Sequence, residues 1–182
     1  MKTDNLPLPD EKISDAMRDY LAEIYRLAGG GTLWVSTTAL AERLDVSGPA
    51  TVRMVRRLHN GGLVDHLPYK GVSLTPPGQK VALRHIRRHR LVERFLVDVL
   101  KFGWEDVHEE ADALHKGITQ RIEDRIDELM GYPTTCPHGD PIPSRDGKLT
   151  EIQDVPLTVV PPGAKGKISR VKTREPDKLR YL

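Results

Sequence analysis

His108, Asp112 and His115 recur at i, i+4 and i+7 within a stretch, residues 105–120, whose apolar pattern predicts a helix. One helical face therefore carries two imidazoles and a carboxylate, a donor set suited to a first-row divalent ion. A second group lies upstream, where His85, His89 and Glu93 are spaced four apart, and Asp19 adds a carboxylate that tertiary folding could bring in. Spacing alone leaves two readings open, because a histidine on a helix is often a packing or surface residue and acidic helices are commonly just solvated. A third set is cationic. Residues 46–64 hold no acid but include Arg53, Arg56, Arg57 and His59. They form either a solvated helix face or a nucleic-acid contact surface, and the surrounding elements decide between the two.

Those elements begin with Met17, Tyr20, Leu21, Ile24 and Ala28, apolar at helical spacing after the N-cap residue Ser14 and stopped by Gly29-Gly30-Gly31. Ser36-Thr37-Thr38 opens a short helix with Leu40 and Leu44 on one side. Ser47-Gly48-Pro49 makes a turn and cap for the next, whose expected buried stripe is Val52, Val55 and Leu58 and which Gly61-Gly62 ends. Two short helices joined by a tight turn after a longer supporting helix predict a helix-turn-helix. Leu63-Val64 and Val72-Ser73-Leu74 predict a hairpin with its tip at residues 68–71, a wing. In that setting the arginines favour DNA. Ser47, Pro49, Ala50 and Arg53 are candidates for base edges, with Arg56, Arg57 and Lys70 for phosphates, and Thr37 and Thr51 join the candidate DNA-binding set. For Pro49 and Ala50, simple helix initiation competes with contact to a thymine methyl.

Thr75 is expected to cap a long helix from Pro76 to about Lys101, with Val81, Ile86, Leu91, Val92, Phe95, Leu96, Val99 and Leu100 as its apolar positions. Residues 104–120 and 119–130 predict two further helices, ended by Gly131-Tyr132-Pro133. Beyond Pro133, recurrent prolines exclude long helices. Residues 155–160, 166–171 and 178–182 are strand-like and suggest the opening of a small β-barrel, expected to be truncated or degenerate because the strands available do not close it.

Composition narrows the classes. The net charge is +2 over 182 residues, so nucleic-acid binding has to be local. Residues 76–101 carry seven Lys or Arg against two acids, whereas residues 102–131 carry nine acids against three bases. The single cysteine, Cys136, excludes an internal disulfide framework and a zinc site built mainly of thiolates, and fits a reducing cytoplasm. No apolar run approaches the roughly 20 residues needed to span a bilayer, and the polar, proline-containing first ten residues do not read as an export signal.

Several segments resemble the diphtheria-toxin-repressor family of iron- and manganese-dependent regulators. They are Tyr20-Leu21-Ala22-Glu23-Ile24-Tyr25, Ala41-Glu42-Arg43-Leu44-Asp45-Val46-Ser47-Gly48-Pro49, Arg88-His89-Arg90-Leu91-Val92-Glu93-Arg94-Phe95-Leu96 and Val107-His108-Glu109-Glu110-Ala111, with Cys136-Pro137-His138-Gly139-Asp140-Pro141-Ile142-Pro143 in the following linker. The resemblance implies a mainly α fold: a winged helix-turn-helix domain over 1–75, a helical dimerisation and metal-binding domain over 76–133, a Pro-rich linker over 134–154, and the start of an SH3-like β domain over 155–182. It also implies an ancillary metal site at His89, Glu93 and His108, and a primary site at Asp19, Asp112 and His115.

Two departures bear on that site. His115-Lys116 stands where the family usually has Glu-His, and a protonated lysine offers a metal no lone pair. Either His115 replaces the glutamate while Lys116 turns to solvent or neutralises a carboxylate, or only the ancillary set binds. Ala22 stands where manganese-selective relatives can place a carboxylate. Asp19 and Asp112 occupy positions that are Met and Cys in iron-responsive members, and hard oxygen donors favour Mn2+, with Fe2+ the alternative.

The expected protein is a cytoplasmic homodimeric repressor, with neither membrane nor organic cofactor, that binds palindromic double-stranded operator DNA. An ion joining Asp19 to the helical domain would set the spacing of paired recognition helices to half-sites roughly 34–36 Å apart per turn. The rivals are a metal-independent winged-helix regulator that has lost its primary site, and a metal-dependent hydrolase, which lacks an accompanying general-base or oxyanion motif.

Overall fold

The computed structural model describes residues 8–30, 33–150, 152–173 and 175–181. The chain divides into two compact units, one up to His85 and one from Ile86, with the boundary inside a long helix.

In the N-terminal unit the expected order of elements is present. Helix α1 (Asp15–Leu27) starts where the Ser14 hydroxyl accepts from the Met17 amide at 3.4 Å. Its apolar stripe, Met17, Tyr20, Leu21 and Ile24, is buried. Helices α2 (Thr37–Arg43) and α3 (Gly48–Asn60) start the same way, with Ser36 accepting from Ala39 at 3.1 Å and Ser47 from Ala50 at 3.4 Å. Each cap satisfies an amide that the first helical turn leaves without a partner. The wing is an antiparallel pair, β1 (Val64–Leu67) and β2 (Gly71–Leu74), in the register Val64↔Leu74 to Leu67↔Gly71.

Val35 exchanges two backbone hydrogen bonds of 2.8 Å with Val72, tying the wing to the segment before α2. A side chain at Gly71 would meet the Val35 carbonyl oxygen at 2.1 Å, and its φ of 106° is a second reason for glycine there. Thr75 caps α4 (Pro76–Asp98) as expected, accepting from the Gly78 amide at 3.2 Å.

The C-terminal unit contains the rest of α4, then α5 (Val107–Leu114), a 3-10 turn (His115–Gly117), α6 (Gln120–Leu129) and α7 (Pro176–Tyr181). Val92, Leu96, Val107, Ala111, Ile118 and Ile126 form its apolar core. Arg87 is buried in an ionic cluster beside that core, facing Glu123 and Asp127 of α6, and donates to the Pro143 carbonyl at 2.8 Å. Buried carboxylates of this kind persist only when paired.

Several expectations are corrected. Val52 is 40% exposed, and Thr51 takes its place on the buried stripe of α3 with Val55 and Leu58. Helix α4 stops at Asp98, which leaves Val99 and Leu100 outside it and exposed. The helix expected over 104–120 is shorter, and His115 lies in the 3-10 turn after it. Among the described residues of 155–181 there is no strand; a 3-10 turn (Leu157–Val159) and α7 stand in place of the expected β elements. Gly31 and Leu182, which figured in the expected helix stop and last strand, and the first seven residues, which carry most of the expected polar N-terminal segment, lie outside the described residues. No helix among the described residues is long and apolar enough to cross a membrane.

Candidate metal centres and nucleic-acid face

Helix α3 turns Thr51, Val55 and Leu58 inward, so geometry places Arg53, Arg56 and Arg57 on the exposed side. Ser47 and Pro49 are exposed at its start, Ala50 is half-buried, and Thr37 is half-buried in the first turn of α2. Thr51 leaves the candidate contact set: it is fully buried, its hydroxyl donates to the Ser47 carbonyl at 3.2 Å, and it lies 3.5 Å from the Tyr20 hydroxyl. Lys70 sits at the wing tip with its ammonium 4.4 Å from the centre of the Trp34 ring, a cation–π contact that restrains a long side chain.

Asp19 and His85 meet within the N-terminal unit, with imidazole Nε2 3.0 Å from the carboxylate. In the C-terminal unit the described residues form three overlapping donor sets: His89, Asp112 and His115; His89, Glu93 and His108; and Glu93, Cys136 and His138. The middle set is tight. His89 Nε2 lies 3.0 Å from Glu93 Oε1 and 3.1 Å from His108 Nδ1, and His108 Nδ1 lies 3.2 Å from the same carboxylate oxygen. Ligand bonds of about 2 Å at right angles place neighbouring donors about 3 Å apart, so these atoms fit a common ion. On its other nitrogen, His89 Nδ1 is 3.1 Å from Asp112 Oδ1. One buried imidazole thus serves two donor sets.

His115 is buried and its Nδ1 donates to the Ala111 carbonyl at 2.7 Å, which fixes Nε2 as the lone-pair nitrogen. The adjoining Lys116 is exposed. His138 is oriented by a similar device, since Nε2 donates to the Trp104 carbonyl at 2.8 Å and Nδ1 lies 3.9 Å from Glu93 Oε1. Such backbone partners set the tautomer that a metal ligand needs.

Charge follows this geometry. Burial disfavours a charged His89, but its hydrogen bonds to Asp112 and Glu93 outweigh burial and raise its pKa. Burial likewise works against ionised Glu93, yet hydrogen bonds from His108 and His89 hold it far below the usual carboxylate range. Asp112 is half exposed, and His89 overcomes its desolvation to lower its pKa in the same way. The Cys136 thiol is pushed up to about 12, first by burial and then by the charge of Glu93. It is therefore a neutral thiol at physiological pH, and ligation would require loss of its proton.

Cys136 and His138 were not among the sequence-derived ligands. The available signal was the pair itself, a cysteine and a histidine two residues apart in a turn, both metal-ligand types.

A winged helix-turn-helix unit is thus followed along the chain by a helical unit lined with imidazole and carboxylate donors. Residues 12–72 match the iron dependent repressor N-terminal DNA binding domain, and residues 75–144 match the iron dependent repressor metal binding and dimerisation domain. The chain belongs to the iron-dependent repressor family. It is 37% identical over 132 residues to the iron-dependent repressor IdeR of Mycobacterium tuberculosis, covering 72% of this chain and 57% of that protein. To the diphtheria toxin repressor of Corynebacterium efficiens it is 35% identical over 129 residues, covering 71% and 56%. The chain thus spans somewhat over half the length of these relatives.

Among solved structures, a manganese-dependent transcriptional repressor in complex with manganese superposes with a TM-score of 0.83 at 39% identity, covering 91% of this chain and 76% of that one. ScaR with bound Zn2+ gives 0.74 at 34% identity, covering 91% and 77%.

Proposed function

We propose that this protein is a metal-dependent transcriptional repressor of metal-homeostasis genes, acting in the cytoplasm as a homodimer on palindromic operator DNA and carrying no enzymatic activity. The observation that supports this most directly is the run of overlapping donor sets from Asp112 and His115, through His89, Glu93 and His108, to Cys136 and His138. The proposed ligands are His89, Glu93, His108, Asp112 and His115, joined by Cys136 and His138. Asp19, paired with His85 in the N-terminal unit, is retained as a further ligand and tested by substitution.

Mn2+ is the proposed ion, with Fe2+ the alternative. Carboxylate and imidazole donors outnumber the single thiol, and in the cell availability competes with intrinsic affinity. When bound, the ion would supply a fixed positive charge that offsets the carboxylates of Glu93 and Asp112, and the imidazoles holding it would do so as neutral ligands. The side chains do the rest: Glu93 and Asp112 stay ionised, the Ala111 and Trp104 carbonyls hold two imidazoles in ligating tautomers, and α3 presents Arg53, Arg56 and Arg57 outward.

Operator affinity measured by fluorescence anisotropy is expected to be at least about tenfold higher in Mn2+ than in chelator, about 1.4 kcal/mol. Asp19→Ala and His89→Ala should each remove that difference. Equal affinity in metal and chelator would favour a metal-independent regulator instead.

A further inference from the structure

We infer that Arg90 is a positioning residue for the Glu93, Cys136 and His138 centre, holding the turn that presents the thiol and imidazole against α4. The inference rests on the metal reading of that centre. Glu93 belongs to α4, whereas Cys136 and His138 arrive on a turn more than forty residues later in the chain, so their register with α4 has to be set by contacts.

Arg90 is three residues before Glu93 on the same helix, and its two terminal nitrogens reach two points of that turn. Nη1 donates to the Pro141 carbonyl at 2.6 Å, and Nη2 pairs with Asp140 Oδ2 at 3.2 Å. The residue so gripped is the one that closes the turn: the Asp140 carbonyl accepts from the Cys136 amide at 2.9 Å, and the Cys136 carbonyl accepts from the Gly139 amide at 3.0 Å. A forked guanidinium can hold a carbonyl and a carboxylate at once, which a lysine ammonium reproduces poorly.

The pair is partly withdrawn from water, with side chains 13% and 28% exposed.

The test uses Co2+, whose near-ultraviolet thiolate charge-transfer absorption reports Cys136 ligation directly. The full chain should show that band, and Cys136→Ala should lack it. Arg90→Met is expected to weaken Co2+ affinity read from the band by about tenfold or more, with Arg90→Lys recovering part of the loss. Asp140→Asn, which keeps the bond to Pro141 and alters a half-buried group, should give a smaller weakening in the same direction and covers the case in which Arg90→Met fails to fold.

Wild-type band intensity and affinity in folded Arg90→Met, or in Asp140→Asn should Arg90→Met not fold, overturn the role of Arg90 alone. Absence of the band in the unsubstituted protein overturns the reading of the centre, and the inference with it.

Discussion

Arg53 and Arg57 stand one turn apart on α3 and should fail differently when removed. Arg53 is nearer the N-terminal end of the recognition helix, where side chains reach base edges, so Arg53→Ala should cost about 1–3 kcal/mol on the preferred operator and flatten its sequence preference. Arg57→Ala should weaken all duplexes alike and reduce the salt dependence by about one phosphate contact, because a phosphate contact carries no sequence information. Anisotropy titrations on specific and scrambled duplexes separate the two, and the reverse pattern would mean that α3 is docked differently.

The donor cluster makes its own prediction. His89 has a pKa raised above its usual 6.5, so its contribution to stability is complete below 6.5 and fades as pH rises through the folded-state value. Glu93 and Asp112 are lowered from 4.5 and 3.8, so theirs is complete above those values and is lost as pH falls through the depressed ones. Metal-stripped protein should therefore gain most from this cluster between about pH 4.5 and 6.5, and its melting temperature should fall toward pH 8 by more than that of His89→Gln. Parallel pH profiles for the two proteins would remove His89 from that role. Helical spacing singled out His89 and Glu93 on one helix and His108 on another, while grouping the three came from the family resemblance. Spacing did not reveal Cys136 and His138, since a turn's approach to a helix has no periodicity.

Among the elements, legibility follows the locality of the signal. Ser14, Ser36, Ser47 and Thr75 act within three residues of themselves, and the helices they start were all predicted. The end of α5 was missed because the apolar pattern continues through Ile118 while the backbone tightens into a 3-10 turn at His115. Residues 155–171 are rich in valine and isoleucine, which favour a pleated surface only where a partner strand supplies hydrogen bonds; among the described residues none does. For α7, Pro176 at the first position and basic residues in the last turn were helix signals that the strand reading passed over.

The tail nevertheless packs. Leu179 is 1% exposed, and the Val171 amide donates to the His138 carbonyl at 2.9 Å. Gly139 makes that approach possible, with φ at 88° and the Ser169 carbonyl oxygen 2.0 Å from where a Cβ would sit. Gly139→Ala should therefore lower the melting temperature and expose residues near 165–173 to limited proteolysis, while α3 still binds DNA. A variant as protease-resistant as the parent would show that the tail is held elsewhere.

At the scale of the molecule, a net charge of only +2 leaves binding to depend on where the charge sits and on how many reading heads act together. Exposed Val99, Leu100, Phe102, Leu114, Ile122, Leu129 and Tyr132 fall within 34 residues of the C-terminal unit. Ile122 and Leu129 are seven residues apart on one stripe of α6, while Glu123, Ile126 and Asp127 are turned inward.

If that stripe joins two copies, each α3 acts at high effective concentration beside its twin, and an operator with two half-sites is held far more tightly than either half alone. Replacing both residues with glutamate should then convert the protein to monomer in sedimentation equilibrium and lower affinity for a two-site operator by about a hundredfold or more, with much less effect on a single half-site. The donor sets of the C-terminal unit lie on α4, α5, the 3-10 turn after α5 and the turn after α6, so Co2+ uptake should be preserved and should show that the unit is still folded. A dimer that survives the double substitution, or a monomer that binds the full operator as tightly as the parent, would move the association surface off α6.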